Sequence, residues 1–324
     1  MIRIHRNAVV LGGLGFIGSN LTLHLAEQGW NVLAVDIDHS SVESRARLRD
    51  LVNVADVREA QIRDVDNFGS ALARADVVFD VAGSTGHLAS MVSPETDLMA
   101  NLVDHIHYLQ VLQEIASDVP VISASTRQVM GKAVSGVVDD ASASAPIDVN
   151  GVSKLAWEQY LRVMGSAWGL RSVSIRLPNV YGPRMRIRDS EHGVIGAWIG
   201  EALRGDPVAI FGPAAGQRRN VLHVTDAVAA LVKAVPLATE ASDAYLVGGE
   251  VRSLKEVGQA IGNQASVAVE SAPMPDELAT IQVGSLVVND VRFREAASWA
   301  PSFGFEDGLR ATIEFFREFG NQYA

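Results

Sequence analysis

The chain contains no cysteine. That excludes disulfides, thiolate metal sites, iron–sulfur clusters and a cysteine nucleophile, and it agrees with a reducing, cytoplasmic location. Cations are scarce too: 27 Lys and Arg stand against 38 Asp and Glu, a formal charge of −11, and only four of the cations are lysines. Nucleic acid and anionic membrane both call for cation-rich patches, so neither is an expected partner. An acidic chain can still hold a phosphate-bearing small molecule locally, through backbone N–H groups and a few arginines. No apolar run approaches the roughly 18 residues of a membrane span. Arg3 and Arg6 ahead of Ala8-Val9-Val10-Leu11 superficially mimic a secretion signal, but the glycines that follow are too many and too regularly placed for a signal helix. Internal repeats and low-complexity tracts are absent. What remains is 324 residues, 48% apolar and 20% charged, enough for a substantial core and incompatible with wholesale disorder.

Short β-branched runs alternate with amphipathic stretches over the first half. Ala8–Leu11, Asn31–Val35, Val77–Val81, Val119–Ser123 and Arg171–Ile175 read as strands, and Ile17–Gln28, Leu98–Ala116 and Val152–Trp168 as helices. Such alternation predicts an α/β fold: right-handed crossovers and a doubly wound parallel sheet covered on both faces. From Pro178 onward the texture changes, with Pro183, Pro207, Pro213 and Pro236 breaking shorter mixed elements. A dinucleotide-type domain over 1–177 and a smaller α/β substrate lobe over 178–324 are expected, with an interleaved boundary.

Between the first strand and first helix stands Gly12-Gly13-Leu14-Gly15-Phe16-Ile17-Gly18, which satisfies both G-x-x-G-x-x-G and G-x-G-x-x-G. Glycine here permits a tight turn, removes the Cβ that would block a pyrophosphate, and lets helix and strand pack closely. The second strand ends at Asp36, eighteen residues beyond Gly18, where a carboxylate would accept hydrogen bonds from ribose hydroxyls. Ile37, Asp38 and His39 follow, with no arginine to receive a 2′-phosphate, so NAD is the expected cofactor rather than NADP.

Further segments bring the chain close to a known family. Asp80-Val81-Ala82-Gly83 resembles "H-x-A-A/G", with aspartate in the histidine's place. Asn101 matches the asparagine of "N-x-x-G-T". Ala124-Ser125-Thr126-Arg127-Gln128-Val129-Met130-Gly131 resembles "S-S-[ST]-x-x-V-Y-G", and Arg176-Leu177-Pro178-Asn179-Val180-Tyr181-Gly182-Pro183 resembles "R-x-x-N-x-Y-G-P". Arg219–Asp226 resembles "R-D-F-[IV]-H-V-x-D". In this order they are similar to the extended short-chain dehydrogenase/reductases, the nucleotide-sugar epimerases and dehydratases, over nearly the whole chain. The resemblance implies a Rossmann-type lobe in which Gly12, Gly15, Phe16, Ile17 and Gly18 hold the pyrophosphate and Asp36 and Ile37 the adenosine ribose. It implies that Asp56 and Val57 contact adenine, and that Val81, Ala82, Gly83, Asn101, Lys154 and Leu177 line the nicotinamide side. On the substrate side it implies Ser84, Thr126, Asn179 and Arg219, the last two on a nucleotide diphosphate. Thr126 would hydrogen-bond the reacting oxygen. No metal is implied.

Family dehydratases place Asp-Glu directly after that threonine; Arg127-Gln128 offers no carboxylate, so dehydration is disfavoured. The family's Tyr-x-x-x-Lys is missing altogether. Four residues before Lys132, Lys154, Lys233 and Lys255 stand Gln128, Asn150, Ala229 and Val251, and the family register selects Asn150 with Lys154. A carboxamide does not ionise near neutral pH, so Asn150 cannot replace the phenolate as base. Asp148-Val149-Asn150-Gly151 with Lys154 resembles a family variant, which implies a subgroup with its own proton route. Candidates for that route are His87, in the loop after the fourth strand, and Lys154 with a depressed pKa. His105 and His107 face different ways on a helix and make poor metal ligands; His223, Tyr108 and Tyr181 read as structural. Three activities stay open: epimerisation of a nucleotide sugar or related polyol by transient hydride transfer, net oxidation of a non-nucleotide substrate, and non-catalytic NAD sensing. The second gains from Ala272-Pro273-Met274-Pro275-Asp276, which stands where an "R-P-G-D" arginine is usual. A homodimer is expected, pairing Leu98–Ala116 and Val152–Trp168 as a four-helix bundle.

Overall fold

The computed structural model describes residues 6–133, 136–188, 193–276, 279 and 282–323. In chain order the strands are β1 (Asn7–Leu11), β2 (Asn31–Asp36), β3 (Asp56–Glu59), β4 (Val77–Asp80), β5 (Val121–Thr126), β6 (Val137–Val138), β7 (Ser172–Leu177), β8 (Asn179–Tyr181), β9 (Val208–Phe211), β10 (Arg218–His223), β11 (Ala244–Leu246), β12 (Glu250–Ser253), β13 (Val269–Ala272) and β14 (Val287–Val288). Seven of them form one parallel sheet in the order β3-β2-β1-β4-β5-β7-β11. The strand period of two divides the core. Ala8, Val10, Val32, Val77, Phe79, Val173 and Ile175 face the helices Phe16–Glu27 and Val224–Lys233, while Val9, Leu11, Leu33, Val35, Val78 and Val121 face Asp104–Ala116 and Val149–Trp168. The chain leaves β1 for β2 on one side and returns to β4 on the other, so the switch point, where such sheets take ligands, lies at the carboxyl ends of β1 and β4.

The predicted elements are present with shifted ends. The helix begins at Val149, not Val152, because Asp148 Oδ1 accepts from the Gly151 N–H at 2.7 Å and caps it. The expected helix over Leu98–Ala116 is Pro94–Leu98, a π turn at Met99–Val103, and Asp104–Ala116. β5 and β7 run on to Thr126 and Leu177.

The second half builds another core around Trp198, Ile199, Ile261, Leu309, Ile313 and Phe316, with the sheet β8-β10-β12 and the pair β9-β13. It is not separable at residue 177, because β11 pairs with β7 in the main sheet and Val224–Lys233 packs against that sheet's core. Among the described residues, no helix is long and apolar enough to cross a membrane.

Candidate functional site

The glycine turn lies at the switch point. Gly15 begins the helix Phe16–Glu27 with no capping side chain and no acidic residue in the first turn. The first-turn N–H groups, which a helix cannot pair internally, are therefore left for an anion. A Cβ at Gly18 would stand 2.0 Å from the Gly12 carbonyl oxygen, so only glycine lets turn and helix approach this closely. A Cβ at Gly15 would project into open space beyond its 3.0 Å contact with the same oxygen, filling the cradle. Phe16 and Ile17 are half-buried behind it. Asp36 Oδ2 accepts from the Leu14 N–H at 2.9 Å, tying the end of β2 to the turn. Burial pushes its carboxyl above the usual range, against the pull of the Leu14, Asp38 and Ile37 N–H groups. Ile37 is exposed beside it. The residues present fit a dinucleotide.

One residue pair is placed differently. Asp56 opens β3 opposite Leu33, three residues short of the Asp36–Glu59 pair at the carboxyl edge, and its side chain is exposed against Arg58. At about 3.3 Å per residue, Asp56 stands some 10 Å back from that edge. The segment that follows β3 at that edge is Ala60-Gln61-Ile62, anchored by the Ala60 N–H on the Asp36 carbonyl at 2.9 Å, and it lies nearer the switch point than Asp56 or Val57.

After β4, Val81, Ala82 and Gly83 line the next wall. Gly83 has φ +123°, and a Cβ there would meet Asn101 Oδ1 at 2.3 Å and Lys154 Nζ at 2.9 Å. Lys154 is buried with its ammonium 3.3 Å from the Ala82 carbonyl oxygen. Burial pulls its pKa down, while Asp80, Asp97 and Glu158 pull it back up. Asn101, on the π turn, donates to Asp97 Oδ2 at 3.0 Å. Asn150 meets the same oxygen: its amide nitrogen donates to Asp97 Oδ2 at 3.0 Å and to the Ser84 carbonyl at 2.9 Å. Both amide hydrogens are thereby used, and Asn150 is a strut joining three segments. Asp80, in the histidine's place, accepts from the Tyr108 hydroxyl at 2.8 Å and contacts His105 Nδ1 at 2.6 Å. Burial and Asp80 push the Tyr108 phenol well above its ordinary value, so it remains a donor.

His87 starts the short helix His87–Val92, and its Nδ1 lies 3.0 Å from Oδ2 of Asp148, two residues before Asn150. Against the upward push of burial, His87, the Gly151 N–H and Arg127 hold the Asp148 carboxyl below its ordinary value. His87 Nε2 has no partner among the described residues, and the ring is about one-third exposed. Thr126 ends β5 beside Leu177 of β7, its hydroxyl oxygen accepting from the Gln128 N–H at 3.2 Å. Arg127 turns inward and donates through Nε to Asn179 Oδ1 at 3.1 Å. Arg219 is also buried. His223 stacks on Phe303 with ring centroids 4.5 Å apart, and the Tyr181 hydroxyl donates to the Phe305 carbonyl, both structural.

Sequence reasoning missed Asp97, Asp148 and Arg127 as parts of this site. Asp97 precedes Asn101 by one helical turn and Asp148 is a helix-capping residue, signals that were available; nothing in the sequence marks Arg127 as buried.

A sequence profile of the NAD dependent epimerase/dehydratase family matches residues 8–248. The chain belongs to this family. It is an NAD-dependent enzyme of the sugar epimerase/dehydratase kind. UDP-glucose 4-epimerase of Mycolicibacterium smegmatis is 26% identical over 310 residues, spanning 95% of this chain and 98% of that one. A Thermus thermophilus UDP-glucose 4-epimerase solved with NAD shares 27% identity and superposes with a TM-score of 0.84, covering 96% of this chain and 99% of that one. The Thermotoga maritima enzyme, solved with UDP-glucose, shares 26% identity at a TM-score of 0.83, with the same coverage.

Proposed function

We propose that this family member epimerises a UDP-linked sugar by transient oxidation of a ring hydroxyl, with His87 as proton acceptor. The observation that carries the proposal is the His87–Asp148 contact beside Asn150, where the family's phenol would stand. The turn Gly12–Gly18 and Asp36 hold NAD, with Val81, Ala82, Gly83, Asn101, Lys154 and Leu177 along its far half; Asp36 disfavours a 2′-phosphate. NAD, when bound, supplies reversible two-electron chemistry at its nicotinamide. The chain's own work is proton handling and grip. Thr126 hydrogen-bonds the reacting oxygen, and Ser84 lines the sugar. His87 Nε2 takes the hydroxyl proton and later returns it to the same oxygen. The Asp148 carboxylate, 3.0 Å from Nδ1, stabilises the imidazolium by its charge. Asn179 and Arg219 hold the diphosphate.

Incubating the NAD-loaded protein with UDP-glucose, UDP-N-acetylglucosamine and UDP-glucuronic acid, and following the sugars by NMR, tests the reaction. His87→Gln should lower kcat about 100-fold with little change in KM, the usual contribution of a positioned base. Full turnover in that variant would move the role to Lys154, whose burial lowers its pKa.

A further inference from the structure

Arg127 follows Thr126 directly and is buried, yet no carboxylate lies within ion-pair distance of it among the described residues. Its Nε donates to Asn179 Oδ1 at 3.1 Å and its Nη1 to Gln128 Oε1 at 3.3 Å, both neutral oxygens, while Nη2 has no partner among the described residues. The nearest opposite charge, Asp148, is engaged by His87 and the Gly151 N–H. Arg219 repeats the pattern. It is buried and, among the described residues, bonded only to the Arg218 and Gly284 carbonyls and to Gln217 Oε1, at 2.8 Å for the last. Asn179 pairs with Val221, two residues along β10 from Arg219, so Arg127, Asn179 and Arg219 run along one wall. Burial holds both guanidiniums down, to about 9 and about 10, with Arg219 adding to the effect on Arg127.

A buried cation without an anion is unfavourable, and a chain of net charge −11 has carboxylates to spare that it does not place here. The missing anions are the ligand's. A diphosphate on Arg219 and Asn179 accounts for one of them. Arg127 is a second cation, attached to the residue that touches the reacting oxygen.

We infer that the sugar itself carries a carboxylate, and that Arg127 is the residue that selects it. This rests on the nucleotide-sugar reading above. A planar carboxylate can take two parallel N–H bonds from a guanidinium, a geometry that a neutral hydroxymethyl group cannot offer.

Calorimetric titration of the NAD-loaded protein with UDP, UDP-glucose and UDP-glucuronic acid tests the inference. UDP-glucuronic acid should bind about tenfold or more tightly than UDP-glucose, the scale of one charge-assisted pair. Arg127→Gln should abolish that preference, costing UDP-glucuronic acid at least about tenfold more than it costs UDP or UDP-glucose, whereas Arg219→Gln should weaken all three ligands alike. Arg127→Lys should keep part of the preference, and melting curves of each variant report folding. Should Arg127→Gln not fold, the wild-type ligand preference and Arg127→Lys decide. Equal affinity for the two sugars overturns the inference while leaving the nucleotide-sugar reading intact. So does an equal loss for all three ligands in Arg127→Gln, which would put the guanidinium on the diphosphate. Failure of UDP itself to bind would remove both.

Discussion

Asn150 lies four residues before Lys154, the spacing at which the family's base is expected, and its surroundings explain why a carboxamide suits the place. Asp97 Oδ2 accepts from Asn101 and the Ser84 carbonyl stands close by; an amide NH2 donates to both at once. Asn150→Ala takes one of two donors from the buried Asp97 Oδ2 and the amide donor from the part-buried Ser84 carbonyl, at about 1–3 kcal/mol in all, so a melting temperature lower by a few degrees is expected, with NAD affinity retained. Asn150→Asp should be worse near neutral pH, because it sets one carboxylate against another, and should recover part of the loss on acidification; differential scanning calorimetry across pH reads both. Asp148 gives a prediction of defined sign. Its folded pKa is depressed, so its stabilisation is complete above the unfolded value of about 3.9 and is lost as pH falls through the folded one. Asp148→Asn keeps the helix cap and removes the charge. Its melting temperature should lie below that of the parent at pH 7, and the gap should begin to close as pH falls below about 4. As a positioning residue it should also alter the pH profile of kcat, which a helix cap alone would not do.

At the level of elements, the turn and the helix it opens act as one piece. Gly18→Ala drives a Cβ into the Gly12 carbonyl, and relief requires the helix Phe16–Glu27 to move off β1. Loss of NAD binding by at least about tenfold, measured by calorimetry, is the expected result. These elements were legible because glycine spacing and apolar runs are local signals. β3 was not: Asp56-Val57-Arg58-Glu59 offers a single apolar residue, and only pairing with β2 fixes which end reaches the crevice. The π turn was equally hidden, since Met99–Val103 continues the apolar pattern on either side. Burial of a charged side chain contradicts the ordinary habit of arginine, so Arg127 read simply as a missing carboxylate until its partners were visible.

Across the whole molecule, more than half of the large apolar side chains exposed among the described residues fall on one run of helices. Val92 is 83% exposed, Val163 65% and Val152 53%, and Met91, Leu98, Met99, Val103 and Tyr160 join them on the helices between residues 87 and 168. Grouped exposure of this kind marks an interface, and a second copy of the chain related by a two-fold axis is the proposed occupant. Light scattering should give a dimer at micromolar concentration, and Val163→Glu combined with Val92→Glu should give a folded monomer.

The position of β11 also bears on how the chain comes off the ribosome. Residues through Leu177 supply six of the seven strands of the main sheet, but the outer neighbour of β7, Ala244–Leu246, is translated about seventy residues later. At roughly 5–20 residues per second, that is an interval of several seconds. All six residues of β7 are buried in the finished protein, Val173, Ile175 and Leu177 among them, and during that interval the strand has one row of N–H and C=O groups unpaired. The nascent first half is therefore open to pairing with another nascent chain until its own tail arrives. Slower synthesis between codons 178 and 246 would lengthen that exposure and raise the fraction lost to aggregation.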